Sequence, residues 1–265
     1  MSDLTIAFLL PLLAGLSTGI GGLIAMFAKK NDTNFLAVCI SFSAGVMIYV
    51  SFVEIFRHAL EDLEYLYGDT GFMLTTVAFF AGIAFCAILD KAVPHEDAAV
   101  TAYITHSKKT LTKQDARMLK RMGIMTAIAI AIHNFPEGLV TFMAAMHDPS
   151  LGIAIAAAIA IHNIPEGIAV AAPIHYATGS KKKALLVSIA AGLTEPLGAL
   201  FGFLLLTHIF DEAVLGFVFA AVGGIMIYIS FNQLLPAALR FCEHKKVILG
   251  LFAGMAVMAA SLLVL

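Results

Sequence analysis

Charged residues in this sequence are gathered into short islands, and between the islands run apolar stretches long enough to cross a bilayer. Each stretch holds about 20 residues, which at helical rise spans roughly 30 Å of hydrocarbon. Inside lipid the backbone has no water to bond, so each stretch must close its own hydrogen bonds as a helix. Eight spans follow, at about 4–28, 35–58, 72–93, 122–146, 150–177, 183–207, 213–239 and 247–264. Composition excludes a soluble alternative: 60% of the 265 residues are apolar and 13% charged, against roughly 25% charged in an ordinary soluble domain. The first span is not read as a cleavable signal, because its basic residues, Lys29 and Lys30, follow it rather than precede it. The expected fold is therefore all-α and integral to the membrane, one transmembrane domain over residues 1–265. A single long connection, at about 94–121, is expected on the cytoplasmic side.

The distribution of charge orients the chain. With eight spans both termini lie on one face. If that face is outside, 15 of the 16 Lys and Arg residues fall on the cytoplasmic side and only Arg57 falls outside, as the positive-inside rule demands. The outer connections carry Glu61, Asp62, Glu64, Asp69, Asp148, Asp211 and Glu212. Such an acidic surface concentrates cations, or it simply reflects loops that lack Lys and Arg. Within the 94–121 connection, His95-Glu96-Asp97 reads as polar loop, with metal hand-over as the alternative. Cys39, Cys86 and Cys242 show no CxxC spacing and read as small packing residues.

The sequence repeats itself. Residues 131–138 read AIHNFPEG and 160–167 read AIHNIPEG, while AGVMIYVSFVE at 44–54 matches GGIMIYISFNQ at 223–233. A weaker pair joins AGLSTGIGGL at 14–23 with AGLTEPLGAL at 191–200. These pairs couple span 4 to 5, span 2 to 7 and span 1 to 6. Partners an odd number of spans apart cross the membrane in opposite directions. The expected architecture is thus an inverted repeat of three helices, a central pair and three helices, a transporter plan with its site near the midplane.

Ionisable groups within a bilayer cost about 2.5–3.5 kcal/mol each on insertion scales and mark function by default. Glu54, His133, Glu137, His162, Glu166 and Glu195 lie inside apolar spans, and no Lys or Arg lies deep in any of them. Four carboxylates without a basic partner call for cations from outside, either two divalent ions or protons. His133 and Glu137 are four apart on one helix face, and Asn134 and Glu137 are three apart. Glu137 can therefore bridge an ion beside His133 and another beside Asn134. His162, Asn163 and Glu166 repeat the pattern. Imidazole with carboxylate suits zinc, iron or manganese better than magnesium or calcium.

Pro136, Pro165 and Pro196 remove helical hydrogen bonds and free the carbonyls of Ile132, Ile161 and Gly192. On span 2, Met47, Ser51 and Glu54 form one stripe, with Met47 a soft candidate ligand and Ser51 and Glu54 candidates for the entrance. Span 7 repeats the stripe as Met226, Ser230 and Gln233, expected as a weaker polar lining with Asn232. Asp90 reads as interfacial.

Paired HNFPEG and HNIPEG motifs on consecutive helices, followed by a helix bearing Glu195, resemble the ZIP (Zrt/Irt-like) family, most nearly its bacterial zinc transporters. The resemblance covers essentially the whole chain. It implies eight helices in a 3+2+3 inverted arrangement, both termini outside, and metal entering the cytoplasm through a binuclear site. Carried over by motif, His133, Glu137, His162 and Glu166 hold one metal with Met47 nearby. Asn134, Glu137, Asn163, Glu166 and Glu195 hold the second. The long His-rich loop of eukaryotic members is missing here. The expected activity is transport of divalent metal, zinc first, then iron, manganese or cadmium, across the cell membrane. The metal is cargo, not a catalytic cofactor. Partners are the lipid bilayer and divalent metal ions, with no nucleic acid, and the expected assembly is a homodimer. Two classes compete: an intramembrane zinc-dependent hydrolase, for which a duplicated motif on an antiparallel helix has no use, and a proton- or sodium-coupled carrier of an organic solute, which leaves the imidazole-amide pairs unexplained.

Overall fold

The computed structural model describes residues 3–27, 33–90, 113–206 and 212–264, and every regular element among them is helical. In chain order these are α1 (Asp3–Ala25), α2 (Thr33–Val50), α3 (Phe56–Tyr67), α4 (Gly71–Asp90), α5 (Lys113–His147) and α6 (Pro149–Thr178). They continue with α7 (Lys181–Gly192), α8 (Thr194–Phe201), α9 (Glu212–Ile229), α10 (Leu235–Phe241) and α11 (His244–Val264). Wider π-turns at Ser51–Ile55 and Ser230–Leu234 join α2 to α3 and α9 to α10, and a third, Gly202–Leu206, extends α8.

The packing is inverted relative to a soluble bundle. On α1 the buried residues are small, among them Ala7, Ala14, Gly15, Ser17, Thr18 and Gly22, whereas Leu13, Leu16, Ile20 and Leu23 are exposed. On α4, Phe72, Val77, Phe80, Phe85 and Ile88 are likewise exposed. Large apolar side chains outside and small ones inside are what lipid selects, because helices there associate through close backbone packing.

Seven helical segments among the described residues are long and apolar enough to cross a membrane. One of them, Asn34–Asp90, is 57 residues long and contains both span 2 and span 3 of the sequence reading. It is folded at the short turn Gly68–Thr70, where Gly68 takes φ 57° and ψ −136°, a conformation for which glycine is suited. Beyond that turn α4 packs back on α3.

Two boundaries differ from expectation. The helix of span 2 continues through α3 to Tyr67, because residues 56–67 are amphipathic, burying Ala59 and Leu63 while Glu61 and Tyr65 stay exposed. The basic end of the expected 94–121 loop is helix: α5 begins at Lys113 and runs 35 residues, about 52 Å at helical rise. Residues 113–121 are good helix formers apart from Asp115, so the helix extends past its apolar part. The rest of that loop, including His95, Glu96 and Asp97, lies outside the described residues, as do Lys29, Lys30, His208 and Asp211.

Helix contacts divide the molecule in two. α1, α5, α6, α7 and α8 pack on one another, and α2, α3, α4, α9, α10 and α11 form a second group. The groups meet chiefly where α2 crosses α6. Glycine contacts follow the same division. A β-carbon on Gly15 or Gly192 would strike the other's backbone, and one on Gly138 would strike that of Glu195, all within the first group. In the second, Gly45 faces the backbone of Leu251, Gly82 that of Ala221 and Gly224 that of Phe79.

Candidate metal-binding site

The site is assembled from α5, α6 and α8 of the first group, with α2 of the second beside it. Pro136 and Pro165 lie within α5 and α6 and interrupt neither helix. Span 6 behaves differently: α7 stops at Gly192, α8 restarts at Thr194, and Glu195 falls in the first turn of α8. Unpaired amides at a helix start favour a carboxylate there.

Asn134, Glu137, His162, Asn163 and Glu195 are fully buried, and Glu166 is 1% exposed. Nε2 of His162 stands 3.4 Å from Oε1 of Glu137, so the imidazole of one motif faces the carboxylate of the other. The two asparagines converge on Glu195. Nδ2 of Asn163 donates to its Oε1 at 2.5 Å and Nδ2 of Asn134 approaches the same oxygen at 3.4 Å. Nδ2 of Asn163 also donates to the carbonyl of Ala14 at 2.9 Å. With the amide nitrogens drawn to Glu195, the amide oxygens are left over. Among the described residues no hydrogen bond reaches Oδ1 of Asn134, Oδ1 of Asn163, either carboxylate oxygen of Glu137, or Oε2 of Glu195. Five buried acceptors without donors are far from the native rule that buried polar atoms are paired.

That chemistry fits a cation. Carboxylate, amide oxygen and imidazole are ligands for zinc and its neighbours. Among the described residues no preformed group of three His, Cys, Asp or Glu ligands is present. The side chain of His133 is outside the described residues, so its expected place in the set is not reached.

The span-2 residues are placed unequally. Met47 is fully buried on α2. The hydroxyl of Ser51 is buried and donates to the carbonyl of Met47 at 2.6 Å, within its own helix. Glu54 pairs with His58 at 3.2 Å and lies 3.9 Å from Arg57. Gln233 and Asn232, expected to line a pathway, instead donate to Asp90 at 2.8 and 2.9 Å, joined by Tyr228 at 3.0 Å. Asp90 thus ties α4 to the π-turn of the second group, a role that its place at a span end did not suggest.

The model of the family described as ZIP Zinc transporter matches residues 91–262. The chain is 50% identical to the zinc transporter ZupT of Clostridium perfringens, over 99% of this chain and 97% of the relative. It is 53% identical to that of Nitratidesulfovibrio vulgaris, over 98% and 97%, and 52% identical to that of Streptococcus mutans, over 97% and 96%. The chain belongs to the ZIP zinc transporter family. Membership makes it a multi-pass membrane protein of metal transport and not an enzyme, which removes the hydrolase alternative.

Two contacts of this ZIP site were not anticipated from sequence. The hydroxyl of Ser43 donates to Oε1 of Glu166 at 3.2 Å, and the carbonyl of Ala14 holds Asn163. Ser43 had one available signal: it stands four residues before Met47 and shares its helix face. Ala14 had none, since its contribution is backbone.

Proposed function

We propose that this ZIP protein carries a divalent transition metal, zinc first and iron, manganese or cadmium as the alternatives, through a two-ion site at mid-membrane into the cytoplasm. One observation supports this above the rest: Glu137 and Glu195 offer buried oxygens, as do Asn134 and Asn163, that no donor among the described residues meets. An unfilled site of that kind is costly in lipid, and divalent cargo offsets the cost. In this reading Glu137 bridges the two ions and Glu166 serves both. His133 and His162, with Met47, complete one position; Asn134, Asn163 and Glu195 complete the other.

The topology proposed with it has eight spans, counting α2–α3 and α4 as two, in a 3+2+3 inverted repeat with both termini outside. The matched segments 44–54 and 223–233 support the repeat, since each carries a π-turn beginning at the corresponding serine, Ser51 and Ser230. Each serine also donates to the carbonyl four residues earlier, at 2.6 and 2.8 Å. Acidic residues outside attract the ion, Glu54 receives it, and the site passes it inward.

Movement is proposed to be elevator-like. The three proposed ligand-bearing helices α5, α6 and α8 belong to one tightly packed group, and Met47 belongs to the other. Close glycine contacts within each group favour motion of one group past the other over separation of the helices inside it. The site must also hold its ion more loosely than a structural zinc site, or the ion would never leave.

The test is uptake of radioactive zinc into proteoliposomes, comparing wild type with a His162→Ala, Glu166→Ala double mutant, with and without a pH gradient. Saturable uptake that the mutant loses is the expected result, and the gradient reads proton coupling. Wild-type flux equal to that of empty liposomes would sink the proposal.

A further inference from the structure

Polar contacts knit each helix group internally. In the first, Ser17 donates to the carbonyl of Ala160 at 3.1 Å and Ser188 to that of Thr18 at 2.7 Å. In the second, Asp90 gathers Tyr228, Asn232 and Gln233. The bond from Ser43 to Glu166 is of another kind, because it crosses from α2 of the second group to α6 of the first. Both side chains are buried, at 0% and 1% exposure. A hydroxyl donating to a carboxylate in a dry setting gains from the acceptor's charge, but at 3.2 Å this bond is longer than the usual O–H···O contact, so it is a modest tie that a small shift of either group would break. The acceptor is also one of the proposed metal ligands.

We propose that Ser43 is a positioning residue that ties the two helix groups together while Glu166 is metal-free, and that metal loading loosens the tie. The ion and the hydroxyl draw on the same carboxylate, so occupancy of the site and relative position of the groups become linked. Ser43 contributes nothing to this link as a ligand; it acts through Glu166. The inference rests on the transport reading above and adds to it the contact by which an empty carrier is held.

The experiment uses the full chain in lipid nanodiscs, with Cys39, Cys86 and Cys242 replaced by alanine. Spin labels go at Tyr65 on α3 and Leu197 on α8, which are 82% and 55% exposed and belong to different groups. Metal-free wild type should give one dominant distance. Ser43→Ala should add a second distance without metal, and zinc added to wild type should bring up that same distance. Glu166→Gln keeps an oxygen for the Ser43 hydroxyl but loses the charge, so it should hold the single distance and ignore zinc. Calorimetry should find zinc affinity in Ser43→Ala equal to wild type or up to threefold tighter.

Superimposable metal-free distributions for Ser43→Ala and wild type overturn the proposal. So does a wild-type distribution that zinc leaves unmoved, or a tenfold weaker zinc affinity in Ser43→Ala, which would make the serine a ligand. Failure of wild type to carry zinc into liposomes would instead count against the transport reading. The metal-free comparison of Ser43→Ala with wild type reads the tie without it.

Discussion

Glu137 is fully buried, lies 3.4 Å from the imidazole of His162, and accepts no hydrogen bond among the described residues. Removing it takes away the proposed bridge between both ions and, among the described residues, the pairing with His162. Glu137→Ala should therefore weaken zinc binding by roughly 100-fold or more, since even outer-shell losses reach 10–100-fold, and should end uptake. Glu195 contributes to one proposed position, and one of its oxygens is already taken by the asparagines, so Glu195→Ala should slow uptake by about tenfold on the same scale. Calorimetry and isotope flux on both variants check the order; equal, complete loss would mean that the two positions act as one. Asn163→Leu should act on stability as well. It strips Glu195 of its shortest bond, at about 1–3 kcal/mol for an unsatisfied buried group, read as a lower thermal midpoint, while the Ala14 carbonyl keeps the Ser17 hydroxyl. These residues were legible in sequence because a polar group inside an apolar helix stands out. Ser43 was not, because serine crosses lipid cheaply by bonding its own helix, as Ser51 and Ser230 do.

At the scale of elements, the close approach of α5 to α8 carries the site. A β-carbon at Gly138 would meet the backbone of Glu195, whereas one at Gly223 would meet nothing nearer than 3.5 Å. Gly138→Val should push α8 away, cost about 1–3 kcal/mol or more as overpacking does, and lower zinc affinity by displacing Glu195. Gly223→Ala should change neither. Thermal midpoints with and without zinc separate the two cases. Helix existence and rough span limits could be read from hydrophobic run length, because lipid leaves the backbone one choice. The π-turns could not, since an extra residue per turn is settled by tertiary contacts and not by apolar pattern. Nor could the extension of α5 to Lys113 or of α3 to Tyr67, where the helix leaves the apolar run and continues on amphipathic sequence.

For the molecule as a whole, the division into two groups depends on which small residues find one another across space, and sequence gives their identity but not their partners. Orientation is proposed from the Lys and Arg count alone, and it makes a sharp prediction. Asp69 and Asp148 lie at exposed turns on the proposed outer face; Lys182 and Lys245 are exposed on the proposed inner one. In a chain with Cys39, Cys86 and Cys242 replaced, Asp69→Cys and Asp148→Cys should react with a membrane-impermeant maleimide in intact cells. Lys182→Cys and Lys245→Cys should react only after the membrane is opened. The opposite labelling would place the termini inside and reverse the proposed inward route. A split result, with Asp69 and Asp148 on different faces, would break the eight-span count itself. The most direct source of such a split would be the 57-residue Asn34–Asp90 segment, since the topology requires its two arms to cross the membrane separately.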